Sequence, residues 1–323
     1  MSREQIDVLL PVRQARRTLP WAVRDVLAQT AVSLRLIAVV DAGPDGEDDG
    51  SRRWLLDEAA REPRLSVLDG RGEGAAAALQ LALAAGDAPL VSHMEADDRC
   101  PPERLAQLVD ALDPGLSAVT SRAGQFGART PGMRRYLDWQ NALLDHEQMA
   151  AARFVEIPAL HQTGLYRRAA LEQVGGYRTL GAWPVDIDFW LRWFEHPLRV
   201  AKVPRVLYRW RQHPRQSTRS GPGHGLERLR AAKIAGLARS LARDTAARPL
   251  LLVSTGRTLM DWEAGLRAAG VPLAGAVSWK PGAAPPRCPD GARLLAVYGM
   301  AKARDRLAAS LPADVRASTI FAA

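Results

Sequence analysis

The chain has 323 residues, 47% hydrophobic and 24% charged, with a formal net charge of +9 and a pI near 10.2. These values allow a sizeable core in one large or two smaller domains, and a basic balance suits anionic partners such as nucleotide phosphates or lipid headgroups. Cys100 and Cys288 lie too far apart for a disulfide framework or a cysteine zinc site, no run nears the roughly eighteen apolar residues of a membrane span, and no Lys/Arg run makes a nucleic-acid arm.

The apolar run after Met1 is too short for a signal peptide, and two distant cysteines suit a reducing compartment, so a cytoplasmic location is expected. Ile6–Leu10 reads as a strand. Thr18 is a predicted N-cap, with Pro20 in the first turn of a helix that carries Trp21, Val23, Val26 and Leu27. Leu34–Val40 is a second strand, 49–61 a helix, Leu65–Leu68 a third strand, 73–86 an Ala/Leu helix and Leu90–Met94 a fourth strand. Strand and helix in alternation predict a doubly wound α/β sheet, in which ligands sit beyond the carboxyl ends of the strands. Asp41 and the stretch Glu95-Ala96-Asp97-Asp98 fall at such ends.

Beyond residue 100 the pattern loosens. A helix is expected over 101–112, a strand over 116–120, a loop over 124–132, one long helix over 133–152 and a strand over 159–167. A short helix over 169–174 stops at Gly175-Gly176, and an aromatic helix spans 185–194. Arg199–Val203 and Val206–Arg211 read as a strand pair, followed by a helix over 226–243. From residue 249 a new alternation starts, interrupted by a Pro/Gly-rich linker at 280–289 and ending in a strand over 315–321. Residues 1–245 are therefore expected to form one domain and 246–323 a small α/β accessory domain. Its first turn has one glycine where a dinucleotide fingerprint needs three, a degenerate Rossmann-like pattern.

Three carboxylates within four residues, Glu95, Asp97 and Asp98, have two readings. One is a solvated turn in which Asp98 helps cap the following helix. The other is a hard-cation site where carboxylates share a divalent ion with a phosphate.

Spaced stretches over residues 5–220 resemble the family 2 glycosyltransferases, which have the GT-A fold. Pro11-Val-Arg13-Gln14 and the helix ending Gln29-Thr30 are similar to the family opening, and Val40-Asp41-Ala42-Gly43 to its Val-Asp-Asp-Gly. Glu95-Ala96-Asp97-Asp98 lies where the family has Asp-x-Asp-Asp. Asp186-Ile187-Asp188-Phe189-Trp190 resembles its Glu-Asp-x-Asp-x-Trp, and Tyr208-Arg209-Trp210-Arg211-Gln212-His213 its Tyr-Arg-x-His. Ala42, Gly72, Glu95 and Val185 depart from the family pattern.

The resemblance implies an inverting, metal-dependent transfer of a sugar from a UDP- or GDP-linked donor to a carbohydrate or lipid-linked acceptor, in bacterial surface polysaccharide or glycoconjugate synthesis. It implies Mg2+ or Mn2+ held by Asp98 and Asp97 with His213, nucleotide contacts from Pro11, Arg13, Asp41, Arg71 and Asp97, and Asp186 as the base that takes the acceptor proton. Acceptor contacts are expected from His161, Trp183 and Asp188. Seven Lys/Arg and no acid between Arg199 and Ser220 suit a diphosphate clamp or contact with an anionic membrane at its inner face. The C-terminal domain is expected to recruit a partner or to mediate homodimerisation. Two other functions compete: a nucleotide-sugar binder or scaffold that has lost turnover, motivated by the four departures, and a nucleotidyltransferase, which lacks a Gly-rich phosphate loop here.

Overall fold

The computed structural model describes residues 5–42, 47–128, 130–178, 184–214, 216, 225–245 and 248–323. They form two compact units. One comprises Met1–His146, Ala159–Gly181 and His196–Gly221; the other comprises Glu147–Pro158, Ala182–Glu195 and Pro222–Ala323. The units are therefore discontinuous in sequence, whereas a single division after residue 245 is expected from the sequence.

In chain order the elements are β1 (Gln5–Val12), α1 (Leu19–Leu27), β2 (Ser33–Val40), α2 (Ser51–Ala59), β3 (Leu65–Asp69), α3 (Ala75–Ala85), β4 (Leu90–His93), α4 (Arg104–Asp110), β5 (Ala118–Gly127), α5 (Pro131–Ala142) and α6 (His146–Ala152). They continue with β6 (Leu165–Arg167), α7 (Arg168–Gln173), α8 (Val185–Trp193), β7 (Val200–Gln212), α9 (Leu226–Arg243), β8 (Leu250–Ser254), α10 (Gly256–Ala268), β9 (Leu273–Ser278), β10 (Arg293–Val297), α11 (Ala301–Ser310), α12 (Ala313–Ser318) and β11 (Ile320–Ala322).

The first unit is built on a seven-stranded sheet of order β3-β2-β1-β4-β6-β5-β7, with β6 antiparallel to both its neighbours. Ile6, Val8, Leu9 and Leu10 of β1 are all fully buried, as expected for a central parallel strand covered on both faces. Asp7, in the same strand, is also fully buried and is matched by charge. Its carboxylate accepts from Arg35 Nε at 2.9 Å, a terminal nitrogen of Arg168 at 2.6 Å and the Ala88 N–H at 2.9 Å. This network joins β1, β2, the segment entering β4 and α7 at the amino end of the sheet.

Several expectations are corrected. Thr18 makes no side-chain bond to the first turn of α1; its hydroxyl donates back to the Ala15 carbonyl at 3.3 Å. The expected loop at 124–132 is in part strand: Gly124–Gly127 pair with Arg209–Gln212. Gly127 sits at φ 81°, and a Cβ there would lie 2.6 Å from the Gln212 carbonyl oxygen. The expected strand pair is a single 13-residue strand, β7, whose register against β5 shifts at Ser121–Ala123. Pro204 lies in this irregularity on an edge strand, where its missing N–H is tolerated. The long helix over 133–152 is two, α5 and α6, and 161–163 is a 3-10 turn rather than strand.

The second unit contains a four-stranded parallel sheet of order β11-β10-β8-β9. Leu251, Val253, Leu294, Ala296, Leu307 and Trp279 build its core. Helix α9 packs on α8 through Gly236, where a Cβ would lie 2.8 Å from Leu191 Cδ1. The terminal segment expected as strand over 315–321 is mostly α12, with β11 confined to three residues.

Candidate functional site

The carboxyl end of β4 leads directly into the acidic stretch. Helix α1 holds the chain just beyond it. Asp25 accepts from Arg99 Nε at 2.6 Å and from the Cys100 N–H at 3.0 Å. One turn later, Gln29 donates to the Pro101 carbonyl at 2.8 Å and accepts the Leu105 N–H at 2.8 Å, satisfying an orphan donor in the first turn of α4. The Gln-Thr pair that closes α1 thus braces the segment carrying the acids. Asp98 does not cap α4, so the helix-cap reading of the stretch is corrected.

Strand β7 reaches the same place from the other side of the sequence. Arg209 exchanges backbone hydrogen bonds with Arg99, at 2.8 and 3.1 Å. That pairing sets Arg211 and His213 against the acids. The Arg211 N–H donates to Asp98 Oδ1 at 2.6 Å; an Arg211 terminal nitrogen lies 3.5 Å from Asp97 Oδ2, and His213 Nε2 lies 3.1 Å from the same oxygen. The Tyr208 hydroxyl accepts the Glu95 N–H at 3.2 Å.

The electrostatics favour a cation. Burial pushes the Asp98 carboxyl well above the usual carboxylate range, the Asp97 charge adds to this, and the Arg211 N–H and Tyr208 hydroxyl offset only part. Asp97 is raised by burial and by Glu95, against the pull of His213 and Arg211. Asp98 is 1% exposed, and its Oδ2 has no hydrogen-bond partner among the described residues. A buried carboxylate oxygen without a donor, beside a second carboxylate and an imidazole, is a donor set that Mg2+ or Mn2+ accepts. The residues present therefore fit the metal that the resemblance implies.

Other expected site residues are distributed differently. Arg13 and Arg71 are exposed at the carboxyl ends of β1 and β3. Pro11 is buried within β1, opposite Val39, and offers no polar side-chain atom. Asp41 is buried, with Oδ1 accepting the Gly72 N–H at 2.6 Å and Oδ2 the Gly74 N–H at 2.9 Å. These two bonds fold the loop that carries Arg71. Gly72, where the resemblance implies asparagine, has φ 76°, which a glycine adopts without strain.

Two residues expected to touch the acceptor are buried. Asp188 is 3% exposed and ion-paired at 2.7 Å with Arg192 one helical turn on, a spacing visible in the sequence. His161 is 8% exposed and packs on the His93 ring at a centroid distance of 4.7 Å. Trp183 lies outside the described residues. Asp186 is half-buried in the first turn of α8, in the second unit, and its Oδ1 accepts the Ile187 N–H at 2.8 Å.

Sequence reasoning gave no role to Arg104, His93 or Tyr208, the last quoted only as the start of a motif. Arg104 is fully buried and donates to Ser92 Oγ and to the carbonyls of His93 and Gln162, with its guanidinium 5.0 Å from the Tyr208 ring centroid. An arginine on a helix face otherwise made of Leu105 and Leu108 was the available signal.

The description "Glycosyl transferase family 2" fits residues 7–175, just over half of the chain. This chain belongs to that family. It is a transferase enzyme of GT-A fold, as the spaced motifs imply. A putative glycosyltransferase, EpsE of Bacillus subtilis (strain 168), is 24% identical over 219 residues, covering 65% of this chain and 74% of EpsE. S. aureus TarS 1-349 in complex with UDP-GlcNAc superposes with a TM-score of 0.59 at 13% identity, covering 75% of this chain and 67% of that one. Against a longer TarS chain the coverage of the relative falls to 40%. The mannosyltransferase PcManGT from Pyrobaculum calidifontis, in complex with GDP-Man and Mn2+, superposes with a TM-score of 0.51 at 18% identity, covering 82% and 69%. At such identities the structural likeness speaks to the fold. Among the described residues no helix is long and apolar enough to cross a membrane.

Proposed function

We propose that this chain transfers a sugar, with inversion, from a nucleoside diphosphate donor to an acceptor hydroxyl, using a divalent cation held by Asp98 and Asp97 with His213. The observation that carries the reading is the buried Asp98 carboxylate, with Oδ2 unpartnered among the described residues and Asp97, Arg211 and His213 beside it. Bound there, Mg2+ or Mn2+ supplies Lewis-acid stabilisation of charge growing on the leaving diphosphate. Arg211 keeps Asp98 oriented through its N–H, so the free oxygen keeps one direction. The Arg211 guanidinium, 32% exposed, presents a cationic fork for phosphate oxygens. Arg13 and Arg71, exposed at neighbouring strand ends, add positive charge for the nucleotide. Asp186 takes the acceptor proton, an assignment that rests on its motif. UDP- and GDP-sugars are the favoured donors, because proteins of like fold bind UDP-GlcNAc and GDP-Man. A carbohydrate or lipid-linked acceptor of a surface polysaccharide or glycoconjugate completes the reading.

A thermal-shift screen of UDP, GDP, CDP and dTDP sugars with and without Mn2+ tests it, since a ligand that prefers the native state raises apparent stability. One nucleotide class should stabilise the protein only with the metal and be turned over when an acceptor is supplied. Metal-independent responses to every sugar would remove the proposal. A second reading, a binder without turnover, draws on Glu95, whose Oε1 lies 3.1 Å from His93 Nε2. Slow donor hydrolysis by the purified protein would exclude that reading.

A further inference from the structure

The geometry points to a second cation site, formed by His93, His161 and Glu95, that takes a borderline transition-metal ion of the Zn2+ class. One ligand-type atom from each residue lies within 4.8 Å of the others. His93 Nε2 is 3.1 Å from Glu95 Oε1, and the two imidazole rings stand 4.7 Å apart, tilted by 34°. This site does not depend on sugar transfer and uses neither Asp98 nor His213.

His93 carries the argument. It is fully buried at the end of β4, and neither ring nitrogen has a hydrogen-bond partner among the described residues. Its approach to Glu95 is close without being aligned as a hydrogen bond. An imidazole stripped of water and left unbonded loses its hydration without replacement, so the arrangement calls for a compensating partner. A metal ion provides one, because a neutral imidazole offers it a lone pair directly.

The three donors are held by rigid backbone. The His93 carbonyl accepts from Arg104 at 3.1 Å, and the His161 carbonyl accepts the Tyr166 hydroxyl at 2.7 Å. Tyr177 closes one side, with its ring 6.4 Å from His93 and 6.0 Å from His161. Glu95 forms the open side: its side chain is 32% exposed, giving an ion a route in and leaving room for a water.

The donor set selects the ion. Two imidazoles and one carboxylate suit Zn2+, whereas Mg2+ and Ca2+ prefer all-oxygen cages. A tetrahedral ion with bonds of about 2.0–2.1 Å sets its ligands about 3.3 Å apart. The His93–Glu95 edge, at 3.1 Å, is near that length, and the other edges lie within 4.8 Å. Position 95 also explains itself: an aspartate, one methylene shorter, would reach less far toward His93. Bound metal would tie the end of β4 to the turn before β6 and so stiffen the approach to Asp97 and Asp98. The Arg104 guanidinium opposes the added charge locally, and the carboxylates of Glu95, Asp97 and Asp98 offset it.

The test uses the full chain stripped with EDTA, then titrated with Zn2+, and separately with Co2+ followed by its ligand-field absorption. Beside any ion held by Asp98, wild type should bind one ion whose site survives Asp98→Asn, with a tetrahedral cobalt spectrum. Glu95→Gln and His161→Gln should each weaken that binding at least about tenfold. His93→Gln, fully buried, carries a folding risk, so Glu95→Gln at the open side decides. Absence of Zn2+ binding by folded wild type overturns the proposal. So does binding that is lost in Asp98→Asn and retained in Glu95→Gln, because the ion would then sit on the acidic pair.

Discussion

Asp98 and Arg211, 113 residues apart in sequence, are joined by a 2.6 Å hydrogen bond from the arginine N–H to Oδ1. Because the donor is backbone, the bond depends on the path of β7 and is open to any residue at 211 except proline. Oδ2 has no hydrogen-bond partner among the described residues.

Asp98→Asn should therefore keep the fold and lose function. The asparagine carbonyl oxygen still accepts from Arg211, and a buried charge that burial disfavours is removed. We expect an unchanged or raised melting temperature, loss of the Mn2+-dependent response to donor, and turnover lower by about a hundredfold or more. Calorimetry and a donor-consumption assay on one preparation check both halves; full turnover in the variant would sink the assigned role.

Asp186→Asn separates proton transfer from donor binding. Removing a general base costs on the order of 10²–10⁴ in rate. The loss should fall on kcat, with the donor KM and the metal-dependent thermal shift retained. A variant that loses donor affinity instead, at normal kcat, would mean that Asp186 binds rather than abstracts.

At the far end of the first unit, Asp7→Ala should act on stability. It removes the carboxylate from between Arg35 and Arg168 and leaves the Ala88 N–H without its acceptor, while Arg35 keeps Asp87 and Arg168 keeps the Leu83 and Ala88 carbonyls. Breaking a buried pair costs about 3–5 kcal/mol. Urea denaturation should show that loss, with the metal-dependent donor shift intact below the transition.

Acid should weaken the fold through the histidine pair. Burial, with Arg104 nearby, pushes His93 down to about 3, and burial, with His93 nearby, does the same to His161. An unfolded chain protonates both near 6.5, so below that value it binds more protons than the native state. Stability is thus fully present above pH 6.5 and falls as pH drops toward 3, by up to about 1.4 kcal/mol per pH unit for each histidine. Glu95, Asp97 and Asp98 act oppositely, because their raised values let the native state take protons first. Glu95 is partly solvated, which tempers its share. Comparing wild type with His161→Gln in EDTA cancels the carboxylates: the variant's stability should fall less steeply with acid, by about one proton. Parallel slopes would show that His161 protonates freely in the native state.

The strand–helix alternation, the strands around the acidic stretch and the likeness to the family were legible because they rest on local signals: apolar period, turn residues and short ordered motifs. Asp97, Asp98 and His213 were named from the motifs, and the pairing of Arg99 with Arg209 brings them together. The strand at 124–127 was not legible, since Gly124-Gln125-Phe126-Gly127 has no apolar alternation and is extended by β7 alone. Nor was the closure of the loop after β3, which two N–H bonds to the Asp41 carboxylate hold.

By itself, then, the amino-acid order determined which segments become strands and helices and which chemical groups stand at their ends. Tertiary structure alone decided which of those groups are buried, which are already satisfied by backbone and which are left with a free lone pair. The reason is physical: secondary structure follows interactions a few residues long, whereas desolvation and hydrogen-bond satisfaction are set by chain segments that meet only after the sheet has closed around them.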